Sequence, residues 1–284
     1  MKLFNRAASL PLGVDVTAES VSIVVPLAGA GGFSIRETLS REVPRVDAPQ
    51  LDLTLAQTIR SILESLETQE RRCILAAPSQ DVVTRTFRVP PGMGRKEAER
   101  AAALEAGTIV DWPASDRVVA LDPIPATRDE MLLSVTRNGT VQRLVAIARA
   151  GGLKPVALDV PACAWRRAVP DADAVLDCQT DRAELVIFGA PLGTTQQFPP
   201  RFVDDRLASQ VRSAFVDARR NGIADVQRLA ILGTQYRYEL LEPLLHDDGY
   251  TIGPVALGGV NSPPWTFAFG LATWSIAHVG LNIA

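Results

Sequence analysis

Two thirteen-residue segments, GVDVTAESVSIVV from Gly13 and VLDCQTDRAELVI from Val175, align without a gap, so that Asp15 falls over Asp177 and Ile23 over Leu185 at a spacing of 162 residues. Each reads as a strand, a tight turn and a second strand. A solenoid would repeat about every 20 to 50 residues, so a repeat on this scale points instead to two similar α/β domains in one chain.

The surrounding periodicity extends the parallel. In the first half, Gly13 to Pro26 gives the strand pair with Val21, Ile23 and Val25 on one face, and Phe33 to Val43 a third strand. A helix follows, with Leu55, Ile59, Ile62, Leu63 and Leu66 in phase after Asp52 or Thr54 as cap. The strand Cys73 to Ala77 closes at Pro78-Ser79. In the second half, Ala174 to Cys178, Ala183 to Gly189 and Thr194 to Phe198 precede a helix carrying Leu207, Val211, Ala214, Phe215 and Ala218, then the strand Arg228 to Leu232. Both halves run three strands, helix, strand. Between them lie the strand Thr84 to Val89, an alanine-rich helix Arg95 to Asp111, strands Arg117 to Leu121 and Met131 to Thr136, and a helix ended by Gly151-Gly152. The strand Lys154 to Val160 and a helix opened by Pro161 lead back.

With 29 basic and 32 acidic residues among 284 and 47% hydrophobic residues, the chain has ample material for two cores and too even a charge balance for a nucleic-acid-binding protein. Cys73, Cys163 and Cys178 lie far apart, and only His246 and His278 are available, so neither a disulfide framework nor a histidine-rich metal site is expected. The opening MKLFNRAASLPLG lacks the apolar core of a secretion signal, which places the chain in a reducing cytoplasm. From Tyr250 to Ala284 there is no charged side chain, but Thr266, Thr273, Ser275, His278 and Asn282 favour a buried terminal helix over a membrane span.

Asp15 and Asp177 carry the one constellation with chemistry. At strand ends entering tight turns they could hold a hydrated metal ion while turn amides and hydroxyls receive phosphate, or they could simply cap their strands. The turns argue against phosphate. Thr17-Ala18-Glu19-Ser20 and Gln179-Thr180-Asp181-Arg182 lack glycine for close backbone approach, and Glu19 and Asp181 add like charge. Two unit charges ~4 Å apart cost about 1 kcal/mol in water and more in a cleft. Gly29-Ala30-Gly31-Gly32 joins two strands and opens no helix, so it reads as a hairpin turn. There is no G-x-x-x-x-G-K-[ST] or G-x-S-x-G.

The duplicated hairpin with aspartate resembles the actin-like ATPase superfamily, and the middle block narrows the resemblance to PilM, related to FtsA. Val89-Pro90, Glu105 with Val110-Asp111-Trp112-Pro113, and Gly151-Gly152-Leu153-Lys154-Pro155 through Asp159 follow that family's pattern. The resemblance implies duplicated actin-like (ribonuclease H-like) α/β domains with an inserted small α+β subdomain. The expected divisions are residues 1–83, an insert at 84–153, a return segment at 154–170, and a reduced second domain at 171–284. It also implies a cytoplasmic scaffold of a pilus, type II secretion or DNA-uptake machine, held at the inner membrane by the short N-terminal tail of a PilN-like membrane protein. Other inner-membrane components are further expected partners, and self-association is left open. The tail would lie in a groove between the first subdomain and the insert, bordered by the Thr84 to Val89 strand and the alanine face of the Arg95 to Asp111 helix.

Where the family has Asp-Ile-Gly-Ser-Ser-Ser, this chain has Asp15 to Ser20, and Gln179 replaces a glycine. The adenosine loop is reduced to Leu232-Gly233-Thr234-Gln235. The expectation is therefore a pseudo-ATPase with no catalytic residue and no metal ligand of its own. Should ATP with Mg bind, Asp15, Thr17, Ser20, Asp177, Thr180 and Gly233 would contact it. A working actin-like ATPase and an FtsA-like membrane-linked filament protein are the alternatives.

Overall fold

The structure, a computed structural model, describes residues 10–29, 32–123, 130–178, 183–189, 194–198, 205–233, 235–246, 249–254, 256–257, 260–261, 264–274 and 281–282. The first half opens with the antiparallel strands β1 (Leu12–Val16), β2 (Ser20–Gly29) and β3 (Gly32–Glu42), followed by helix α1 (Ala48–Ser65) and by β4 (Arg72–Ala76), which runs parallel to β1. Val21, Ile23 and Val25 alternate along β2 and bury one face against Leu55, Ile59, Ile62 and Leu63 of α1. The helix starts earlier than Asp52 or Thr54. Asp47 is its N-cap and Pro49 lies in the first turn, where its missing N–H costs nothing. The hydroxyls of Thr54 and Thr58 instead bond the carbonyls one turn back, Gln50 O at 3.0 Å and Thr54 O at 2.9 Å.

A short 3₁₀ turn at Ser79–Asp81 leads to β5 (Val82–Arg88), α2 (Arg95–Ile109), β6 (Arg117–Pro123) and β7 (Glu130–Arg137), which build a separate three-stranded sheet in the order β5-β7-β6 with α2 on one face. Helix α3 (Asn138–Ala150), expected to belong to this block, instead returns to the main body. Its Val141, Val145, Ile147 and Ala148 join the core built on α1. Strand β8 (Lys154–Asp159) then lies parallel to β4, and α4 (Pro161–Ala168) follows.

The second half repeats the first. It comprises β9 (Ala174–Cys178), β10 (Ala183–Ile187), β11 (Thr194–Phe198), α5 (Asp205–Arg220), β12 (Arg228–Gly233), α6 (Gln235–His246) and β13 (Thr251–Pro254), with sheet order β11-β10-β9-β12-β13 against β3-β2-β1-β4-β8 in the first half. Register agrees as well as order. Asp15 pairs with Ser22 as Asp177 pairs with Glu184, both at the 162-residue spacing. Leu12 lies beside Cys73 as Ala174 lies beside Leu229, which matches β4 to β12 at a spacing of 156 that no ungapped alignment could show.

The halves are joined by exchanged helices. Trp165 and Ala168 of α4 and Val169 just after it pack on Val175, Val186 and Leu232 of the second sheet and on Phe188 just past the end of β10. After the small hairpin β14 (Ala256–Leu257) and β15 (Val260–Asn261), helix α7 (Thr266–Ala272) crosses back to lay Ala268 and Ala272 on Val24, and Leu271 on Ile74 and Ala157. The uncharged C-terminal stretch therefore holds a buried helix of seven residues, shorter than expected, and ends in β16 (Leu281–Asn282), antiparallel to β8. Among the described residues, no helix is long and apolar enough to cross a membrane.

Candidate functional site

The first hairpin turn is closed on itself. Thr17 Oγ1 accepts from the amides of Ser20 at 2.9 Å and Glu19 at 3.3 Å, and it donates to Ser20 O at 3.1 Å. The Thr17 amide also bonds Ser20 O, at 2.9 Å. The backbone amides that a phosphate cradle would aim outward are thus engaged by a side chain of the same turn. Ser20 Oγ lies 3.2 Å from Thr17 Oγ1, in the same network.

Cross-strand partners share a face of the sheet, so Asp15 and Ser22 lie on the side of Gly13 and Val24, toward α7. Asp177 and Glu184 lie on the side of Val175 and Val186, toward α4. Both expected aspartates therefore face the layer between the halves, at the ends of β1 and β9. Asp177 is buried, and so is the carboxylate directly opposite it, Glu184. Gly233 ends β12, in register with Cys178. Thr180, with the rest of the second turn, lies outside the described residues.

Glu184 was not singled out in the sequence. It reaches Ser79 of the first half, whose Oγ donates to Glu184 Oε1 at 2.5 Å, and Gln197 Nε2 donates to Gln80 Oε1 at 3.0 Å across the same seam. Its signal was present: in the repeat it stands over Ser22, and it is the one charged residue in AELVI, a strand buried on both faces.

Beside this seam opens a cleft of about 390 Å³. Ser79 and Gln80, Val82 to Thr84 of β5, Val160 to Ala162 at the start of α4, and Thr195 and Gln197 of β11 form its walls. It adjoins the inserted sheet through β5, the strand expected from the sequence as one border of a partner groove. The expected second border is not there. Ala98, Ala102 and Ala106 of α2 are buried against Leu121, Leu133 and Val135 of the insert's own sheet, because small side chains let that helix sit close on its strands. The three cysteines are buried, and burial pushes the Cys163 thiol up to about 12, which disfavours its thiolate. Among the described residues, no cluster of His, Cys, Asp and Glu suits a metal ion.

A family model described as type IV pilus assembly protein PilM matches residues 13–190, well over half of the chain. The chain belongs to the PilM family. The match runs from β1 through the insert and α4 to the first hairpin of the second half. No curated protein matches the chain. Among solved structures, a chain of a PilM–PilN type IV pilus biogenesis complex is similar at 20% identity, over 92% of this chain and 97% of that one, with a TM-score of 0.70. The cytoplasmic domain of EpsL, an inner-membrane component of the type II secretion system of Vibrio cholerae, is similar at 12% identity over 93% of each chain, with a TM-score of 0.54. A Bacteroides thetaiotaomicron protein with an actin-like ATPase fold is similar at 12% identity over 97% of this chain and 100% of that one, with a TM-score of 0.51. The fold of this PilM-family chain is the actin-like one.

Proposed function

We propose that this PilM-family protein is a docking component of a pilus or secretion machine, which receives the short cytoplasmic tail of a PilN-like membrane protein and thereby sits at the inner membrane. The observation that carries the reading is the cleft between the insert and the main body, walled by Val82 to Thr84 and by the start of α4. Its volume suits a few residues of an extended chain. Val82, Val83, Val160 and Ala162 offer small apolar contacts, and Ser79, Gln80, Thr84 and Gln197 offer hydrogen bonds to a backbone. Residues Thr17 to Ser20 support a second part of the proposal, that ATP with Mg is not held. The amides of Glu19 and Ser20 are spent on Thr17 Oγ1, and Glu19 stands where a phosphate would bring more negative charge.

The test is fluorescence anisotropy of a labelled tail peptide from a PilN-like protein. Thr84→Arg puts a large cation into an exposed part of the cleft wall and should weaken binding by at least about tenfold, or 1.4 kcal/mol. Unchanged affinity would place the tail elsewhere.

A further inference from the structure

Glu184 is buried, yet both of its carboxylate oxygens are engaged at the seam between the halves. Oε1 accepts from Ser79 Oγ, and Oε2 accepts from Gln197 Nε2 at 3.4 Å. The same Gln197 amide donates to Gln80. Ser79 and Gln80 belong to the turn after β4, whereas Glu184 and Gln197 are register partners on β10 and β11. The first half holds a matching but uncharged arrangement. Ser22, the repeat counterpart of Glu184, bonds Ser40 on its neighbouring strand at 2.7 Å and reaches across to Pro264 O at 3.3 Å. In each half, then, the second hairpin strand grips the opposite half, and only the second does so with a carboxylate.

We infer that Glu184 is a catch that holds the second half closed on the first, by accepting from Ser79 directly and by engaging the same Gln197 amide that donates to Gln80. Ser79, Gln80 and Gln197 also line the cleft, so the catch sets the width of the groove to which the tail is assigned; that last step rests on the proposed function. The catch itself does not. A hydrogen bond to a buried carboxylate is among the stronger kinds, and removing its donor leaves an acceptor without solvation.

The experiment places spin labels at the exposed positions 53 and 216 (Leu53→Cys, Val216→Cys), one on α1 and one on α5, and measures their distance distribution. In the otherwise unmodified protein the distribution is expected to be narrow and unmoved by MgATP. Ser79→Ala/Gln80→Ala removes only first-half groups at a half-exposed turn and should shift the distribution to longer, broader distances. Gln196→Ala, an exposed neighbour on β11, should not. Glu184→Leu, which keeps the bulk but removes both acceptor oxygens, should reproduce the shift. Distances unchanged in both catch variants, or closed only when MgATP is added, would overturn the catch. Peptide affinity is read separately. If the distances shift but no tail binds even the parent protein, the docking proposal falls and the catch stands.

Discussion

Asp159, at the end of β8, forms a buried ion pair with Arg167 in the second turn of α4. The Arg167 guanidinium also donates through Nε to Gly270 O of α7 at 3.0 Å, and Asp159 Oδ1 accepts from the amide of Val160 at 2.8 Å. One carboxylate thus fastens the end of a first-half strand to both exchanged helices. Asp159 closes the stretch from Gly151 that first marked the chain as PilM-like, so its place in that stretch has a physical reason within this fold.

That pair gives a pH dependence of definite sign. Burial pushes the Asp159 carboxyl up to about 6, against the opposing pull of Arg167. A folded-state value above the unfolded one, about 3.9, means that the native state binds the extra proton. The contribution to stability is fully present below about pH 4 and is lost as pH rises through about 6. Compared with Asp159→Asn in urea melts, the parent protein should lose relative stability between pH 4 and 6.5. A gain over that window would mean that Arg167 outweighs burial.

Arg167→Met should act in the opposite sense. At pH 7 it leaves the buried Asp159 carboxyl without the cation that holds it down, so the group must stay charged and unpaired or take up a proton, at a cost of up to about 3 to 5 kcal/mol. At pH 4, with Asp159 protonated, the same variant should lose markedly less, as measured by urea denaturation at the two values.

Thr17→Val keeps the branched shape and removes the oxygen that serves the amides of Glu19 and Ser20. The half-exposed turn can recruit water in exchange, so the expected loss is about 1 kcal/mol. Titration calorimetry of the parent protein with MgATP should show no micromolar affinity. A clear micromolar dissociation constant would show that the turn reopens for phosphate.

How much of this was legible follows from the kind of signal each feature sends. The hairpin repeat was readable because Asp15 over Asp177 and Ile23 over Leu185 sit in strands whose alternation survives without a gap. The correspondence of β4 with β12 was not, since its spacing differs by six residues. Helix α3 announced an apolar face through Val141 and Val145 but not which sheet would receive it, and it went to α1 rather than to the insert. The alanine stripe of α2 posed the same question and was answered by its own strands. Periodicity reports that a face is buried; the partner of that face depends on topology. Glu184 stood out as a lone charge in a buried strand, but its partner needed the third dimension, because Ser79 lies 105 residues away in sequence.

The exchanged helices depend on two glycines at which a side chain has no room. A Cβ on Gly13 would lie 1.9 Å from Ala268 O and 2.4 Å from Ala272 N, and one on Gly270 would lie 2.1 Å from Ala164 O. These are backbone atoms of packed helices, so relief requires moving α7 off β1 or off α4. Gly13→Ala and Gly270→Ala should each cost about 3 kcal/mol or more, at the upper end of overpacking effects. Gly139, the second residue of α3, is the control, because nothing lies within 4 Å of its added Cβ. There alanine should leave stability unchanged or raise it by about 0.5 kcal/mol through reduced freedom of the unfolded chain. Urea midpoints for the three variants decide the matter. If Gly13→Ala behaves like Gly139→Ala, α7 does not lie against β1 as closely as the structure has it.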